Sequence, residues 1–255
     1  MDLAGRSAIV TGGAGGLGAA CVRHLTGLGL KTVVFDLHEG RTKELADGIG
    51  PAATAVSGDV TDDDAVLAAI AAAQQLGVLS VVVNVAGGGI AGRTVARDGT
   101  PHDKDAFVKV MNMNAIGTFN VTRLAASAMS RNEPTEDGER GVVVNTASIA
   151  GLEGQAGQLA YGAAKAAILG MTLPMARDLA PAGIRVCAIA PGTMGTPIML
   201  GAPDALKARL VETIQFPKRM GKPEEFALLV ESIVRNPYLN GENIRLDGAL
   251  RFPPK

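Results

Sequence analysis

Tryptophan is absent from this 255-residue chain, only 3% of it is aromatic, and it holds just two tyrosines. So few rings leave little on which unpaired bases can stack. An excess of positive charge is missing too: 24 lysines and arginines face 25 aspartates and glutamates, with no basic block to attract a phosphate backbone. No nucleic acid is expected as a ligand. Cysteine is limited to Cys21 and Cys187, each in an apolar segment and in no CxxC pair, which points to a reducing compartment. The three histidines, His24, His38 and His102, keep no ligand spacing, so no metal is expected. No run reaches the roughly 20 apolar residues that span a bilayer, and "MDLAGRSAIVTGG" enters a strand-like run too early to hold a leader. These features predict a cytoplasmic protein without membrane contact.

Glycine and aliphatic residues are what the chain has in quantity. Apolar residues make up 47%, enough for one α/β domain over 1–255, and the 33 glycines cluster at 12–18 and 86–89 instead of repeating. Short β-branched runs alternate with longer alanine- and leucine-rich segments, the pattern of βαβ units around a parallel sheet. Seven strands are predicted, at 7–11, 31–36, 53–60, 80–87, 141–148, 184–192 and 243–248. Helices are predicted between them: one from the glycine cluster to Gly27, one after "TDDD" capped by Thr61, one or two over 102–130, and one over 159–180 kinked at Pro174. The expected fold is a doubly wound, seven-stranded Rossmann sheet with helices on both faces. Residues 132–141 read as a solvated loop, and the long excursion 193–222 as a cover over a site.

"VTGGAGGLGAA" (10–20) sets a glycine-rich turn between a strand and a helix, so backbone N–H groups at the helix start can face a pyrophosphate. Its spacing, Thr11-Gly12-xxx-Gly16-Leu17-Gly18, differs by one residue from the common GxGxxG pattern. Asp36 ends the second strand 18 residues beyond Gly18, where a carboxylate accepts from a ribose diol and repels a 2′-phosphate. NAD is accordingly the expected cofactor, with Asp59 and Val60 at the adenine edge.

"AYGAAKAA" (160–167) places one of the two tyrosines four residues before a lysine, on one helical face. A phenol with pKa about 10 is ionised in about one molecule in a thousand at pH 7, and lowering it by ~3 units takes roughly 4 kcal/mol. A cation one turn away has the right sign to supply that. Ser148 closes a strand where ligands bind in open α/β sheets, and it sits in "NTASIAG", not in the GxSxG elbow of a serine hydrolase.

Together with "NVAG" (84–87), Asn114 and Pro191-Gly192, these motifs occur in the order and spacing of the short-chain dehydrogenase/reductase family, which the chain resembles over essentially its whole length. The resemblance implies a catalytic set of Asn114, Ser148, Tyr161 and Lys165, with Tyr161 as acid/base, Lys165 on the nicotinamide ribose and Asn114 organising a water. It implies cofactor contacts from Gly12, Gly15, Gly16, Leu17, Gly18, Asp36, Asp59, Val60, Asn84, Val85, Ala86, Gly87, Tyr161, Lys165, Pro191, Gly192, Met194 and Thr196. Val85 stands where the family usually has a second asparagine.

Residues 131–197 and 239–251 further resemble the branch of the family that oxidises 3-hydroxyacyl-CoA thioesters with NAD, in fatty-acid or branched-chain amino-acid breakdown; in animals that branch is mitochondrial. Gln155 and Gln158 are candidate substrate contacts beside Ser148 and Tyr161. The alternatives are reduction of 3-oxoacyl-carrier-protein thioesters, hydroxysteroid oxidation, and a nucleotide-bound scaffold in a complex. The resemblance also implies a homotetramer built on the helices at 102–130 and 159–180.

Overall fold

Valine-rich runs such as Val81–Val83 and Val142–Val144 are buried on both faces, and their β-branched side chains suit a sheet covered from both sides. The computed structural model describes residues 1–254. Its first half runs β1 (Arg6–Thr11), α1 (Gly16–Gly27), β2 (Lys31–Asp36), α2 (Glu39–Ile49), β3 (Ala53–Ser57), α3 (Asp63–Leu76) and β4 (Val78–Asn84). Then come α4 (Lys104–Met111), α5 (Gly117–Met129), β5 (Gly141–Thr146), α6 (Leu159–Leu179) and β6 (Ile184–Pro191). The chain closes with α7 (Pro197–Leu200), α8 (Asp204–Glu212), α9 (Pro223–Arg235) and β7 (Asn243–Leu246).

All seven strands are parallel, in the order β3-β2-β1-β4-β5-β6-β7. Val10, Val34, Val83 and Val144 pack on one face with Val22 of α1, Leu45 of α2 and Phe226 of α9. Their strand neighbours Ile9, Val33, Val82 and Val143 pack on the other with Val66 of α3, Val121 of α5 and Ala176 of α6. The expected doubly wound fold is therefore present. Strand order reverses direction between β1 and β4, so the carboxyl ends of these strands open a crevice there.

Three local expectations are corrected, and the one or two helices expected over 102–130 prove to be two. The third strand stops at Ser57 because Gly58, wedged against Ala65 and Phe35, turns out of the sheet and leaves Asp59 and Val60 at its rim. Asp62, not Thr61, caps α3 by accepting from Asp64 N at 2.9 Å, while the Thr61 hydroxyl donates to Asp59 Oδ1 at 2.8 Å. Residues 104–129 are α4 and α5 joined by a π turn at Asn112–Ile116, where the Asn114 amide donates to Val110 O at 2.8 Å. Helix α6, extended through Ala182, is long and apolar enough by composition to cross a membrane. It instead lies on β6 and α4, with Ile168 buried and Lys165 turned inward.

Candidate active site

The glycine turn is shaped by close backbone approach. Gly12 has φ +60°, and a Cβ there would lie 2.8 Å from Ala86 N, so a side chain would push β1 away from the loop after β4. Gly18 packs directly on Gly12 and brings the start of α1 against the turn. Thr11, fully buried, accepts from Val85 N at 3.0 Å and Ala86 N at 3.1 Å. These contacts use only the backbone of Val85, which explains why valine is accommodated there. Helix α1 begins without a side-chain cap and without an acidic residue in its first turn. Its first N–H groups, from Gly16, Leu17 and Gly18, have no partner within the helix, and they and the helix dipole suit a pyrophosphate.

Asp36 stands beside this turn: Oδ2 accepts from Ala14 N at 3.1 Å and Oδ1 from His38 N at 3.1 Å. It lines a 480 Å³ pocket with Asp59, Val60, Asp105, Lys109 and Met113. Thr196 lies over Gly16 from the opposite side. The residues present thus fit a dinucleotide, with cavity, helix terminus and carboxylate in one line. Gly192 abuts Asp247, and Pro191 closes β6. Two expected cofactor contacts turn their side chains elsewhere. Asn84 is buried and donates to Thr122 Oγ1 at 3.1 Å and Asn145 Oδ1 at 2.9 Å, tying β4 to α5 and β5. Met194 sinks its thioether against Gly221.

Glycines 87–89 bring three of the four expected catalytic residues, Asn114, Tyr161 and Lys165, together. Asn114 Nδ2 donates to Gly88 O at 2.8 Å, and Gly88 N returns a bond to Asn114 Oδ1 at 3.2 Å. Gly87 touches the Asn114 amide, and a Cβ on it would lie 3.3 Å from Lys165 Nζ; Gly89 faces the Tyr161 ring. Lys165 Nζ sits 5.7 Å from the centre of that ring and donates to Thr146 O at 2.7 Å. The Ser148 hydroxyl accepts from Ala150 N at 3.1 Å, and it acts on the Tyr161 phenol in the direction that favours ionisation.

Electrostatics depart from the expectation for this pair. Burial pushes the Tyr161 phenol above its ordinary value, and the Ser148 hydroxyl opposes that shift only in part. Burial also lowers Lys165 to about 8. The shared helical face is real, yet desolvation is the leading influence on the phenol, and the ammonium donates to Thr146 O. The protein's own groups do not acidify the phenol.

The loop after Ser148 is fixed by residues that no motif marked. Glu153 accepts from Arg245 Nη1 at 2.7 Å and from Phe252 N at 3.0 Å, and its carboxyl is held below the usual range by the Arg245 hydrogen bond first. Ile149 from this loop, Ile214 from the excursion and Leu250 from the C-terminal segment pack in one cluster. Gln155 follows that segment, donating from Nε2 to Pro253 O at 3.1 Å and not toward Tyr161. Gln158, at the N-terminus of α6, keeps a buried Oε1 without a partner. Both glutamines line a 640 Å³ cleft with Gly92, Val95 and Gly162. A charged residue between Ile244 and Leu246 was the one available signal for Arg245. Among the described residues, no three of His, Cys, Asp and Glu gather to hold a metal.

Comparison with known proteins agrees with this geometry. The family profile described as short chain dehydrogenase matches residues 6–205. The chain is 47% identical to 3-hydroxyacyl-CoA dehydrogenase type-2 of Bos taurus over 98% of its own length and 97% of the relative's, and 46% identical to that of Homo sapiens over the same shares. The crystal structure of 3-hydroxyacyl-CoA dehydrogenase type-2 from Mycobacterium avium superposes with a TM-score of 0.98 at 53% identity, covering 99% of this chain and 98% of that one. Fold, cradle and relatives together make this chain a member of the short-chain dehydrogenase family, an oxidoreductase that acts on a CH–OH group of a small molecule with a nicotinamide cofactor.

Proposed function

We propose that this protein oxidises a 3-hydroxyacyl-CoA to the 3-oxoacyl-CoA with NAD, Tyr161 serving as acid/base. The convergence of Asn114, Tyr161 and Lys165 on glycines 87–89, with Ser148 acting on the Tyr161 phenol, carries the reading. The thioester class is supported by the names of the relatives.

The glycine turn, Asp36 and Lys165 would hold NAD, which when bound would supply the acceptor for the hydride that leaves the substrate carbon. Ser148 donates its hydroxyl hydrogen to the substrate oxygen and orients it. Tyr161 in its phenolate form takes the hydroxyl proton as the C–H bond breaks, and it returns that proton in the reverse direction. Lys165 contributes a positive charge on the same helical face, the sign that favours the phenolate, and an oxidised nicotinamide bound beside it would add charge of the same sign. Asn114 holds the π turn and loop 87–89 against each other.

Three carboxylates, Asp36, Asp59 and Asp105, line the pocket beside the turn against one cation, Lys109. A 2′-phosphate meets net negative charge there, which favours NAD and argues against an NADPH-dependent carrier-protein reductase. Wild-type protein is expected to reduce acetoacetyl-CoA much faster with NADH than with NADPH, and faster than an acyl-carrier-protein thioester. Asp36→Ala should narrow the NADH preference at least tenfold, about 1.4 kcal/mol. Steady-state kinetics with both cofactors read this out, and an unchanged ratio rejects Asp36 as the selector.

Helices α4, α5 and α6 and the π turn expose Val108, Ile116, Phe119 and Leu173. Apolar side chains in such number on one set of helices suit a covered face. We propose a homotetramer built on them, with light scattering expected to give about four times 26.0 kDa. A stable monomer would contradict it.

A further inference from the structure

On the face of the excursion 193–222 that looks toward α1 and α9 lies a groove of 820 Å³, larger than the pocket beside Asp36. That volume is within the ~300–1,000 Å³ of small-molecule sites. Its floor is apolar, formed by Ala19 and Ala20 of α1, Leu200 of α7, Val211 of α8 and Met220. Its rim is cationic, carrying Arg23, Lys207, Lys218, Arg219 and Lys222 against the single carboxylate of Glu224. Five cations around one cavity stand out in a chain whose net charge is −1.

The cations differ in what already holds them. Arg219 is committed to Glu225 through two bonds, at 2.9 and 2.6 Å. Lys207 pairs with Asp204 at 2.7 Å, but that carboxylate is almost fully exposed, so the pair exchanges cheaply. Lys218 Nζ meets only Glu212 O at 3.3 Å. Among the described residues, the Arg23 and Lys222 side chains enter no ion pair. The N-terminal end of α9, at Pro223, opens on the same groove, with Glu225 accepting from Lys222 N at 2.7 Å.

An apolar floor under a cationic rim matches a flat, uncharged ring that carries several phosphates. The substrate read above ends in such a group: coenzyme A terminates in adenine on a ribose with a 3′-phosphate and a diphosphate. Ala14 and Gly16 belong to both the cofactor turn and this groove, and Gly195 and Pro197 flank Thr196, which lies over Gly16. The stem of the excursion is therefore the wall between cradle and groove. We infer that this groove binds the nucleotide end of the coenzyme A thioester, so that charge on the excursion selects coenzyme A carriers over shorter thioesters. The inference rests on the thioester reading of the substrate.

Two measurements test it. The first compares KM for acetoacetyl-CoA with KM for the N-acetylcysteamine thioester of acetoacetate, which lacks the nucleotide. Wild-type protein should favour the coenzyme A thioester at least tenfold, with the advantage shrinking as salt is raised. Lys218→Glu with Lys222→Glu should collapse the ratio of the two KM values toward one, whereas the distant Arg131→Glu should leave the ratio as in wild type. A double variant that keeps the full ratio overturns the inference. The second measurement titrates adenosine 3′,5′-bisphosphate into NAD-saturated protein by calorimetry, the dinucleotide keeping the cradle filled. Saturable binding that the double variant loses supports the groove, and no binding to wild type rejects it. If wild-type protein turns over neither thioester, the substrate reading fails by itself, and the bisphosphate titration still decides the groove.

Discussion

Tyr161→Phe is expected to lower turnover of acetoacetyl-CoA by about a thousandfold or more, while NAD affinity changes less than about threefold. Positioned proton transfer contributes roughly 10²–10⁴ in rate, and the variant removes one oxygen and nothing else from the packing of the ring against Gly89. Stopped-flow or steady-state assays give the first quantity and fluorescence titration of the cofactor the second. The same residue sets the pH dependence. Burial raises the Tyr161 pKa, so at pH 7 the phenol is protonated, the form that reduction of a 3-oxo group requires. Oxidation requires the phenolate, so its rate should climb with pH until the phenol of the cofactor complex has titrated. Reduction should be flat at neutral pH and fall at high pH. Full turnover in the Tyr161→Phe variant, or oxidation rates indifferent to pH, would remove Tyr161 from the chemistry.

The architecture was legible because its causes are local and repeated. Valine-rich runs separated by alanine-rich helices fix a parallel sheet, and Gly12 and Gly18 mark a turn where two backbones touch. The four catalytic candidates stood out through their spacing, although the contacts of glycines 87–89 that gather Asn114, Tyr161 and Lys165 appear only in three dimensions. Sequence could not reveal where desolvation wins. Tyr161 and Lys165 share a face as the spacing of four requires, yet each is shifted by burial against its charged form, and burial belongs to the whole packing around them. Long-range ties were equally hidden. Glu153 and Arg245 lie 92 residues apart, and their bond is what seats the C-terminal segment on the Ser148 loop. Gln155 was placed near Tyr161 by its position in the chain, and that segment is what draws it aside.

Lys165→Met should separate function from stability. The ammonium is buried and its pKa falls from 10.5 to about 8. Holding it charged inside the protein therefore costs about 3 kcal/mol at neutral pH. The sign follows from the lowered value: the folded state binds this proton less tightly than the unfolded one. The cost is thus complete below about pH 8 and fades as pH rises from there toward 10.5. Methionine fills similar space without charge, but it leaves Thr146 O without its 2.7 Å partner, a loss of about 1–3 kcal/mol. The net expectation at pH 7 is stabilisation by about 1 kcal/mol, or roughly 2–4 °C in melting temperature for a chain of this length. Turnover should meanwhile fall on the order of a hundredfold or more, as it does when one preorganised electrostatic donor is removed from an active site. Thermal denaturation at pH 7 and at pH 9.5 reads the difference, which should shrink at the higher pH because wild type is relieved there and the variant is not. A Lys165→Met protein that melts below wild type at pH 7, with a gap indifferent to pH, would show that the buried ammonium is held without strain, and that its place beside the phenol is no concession of stability to catalysis.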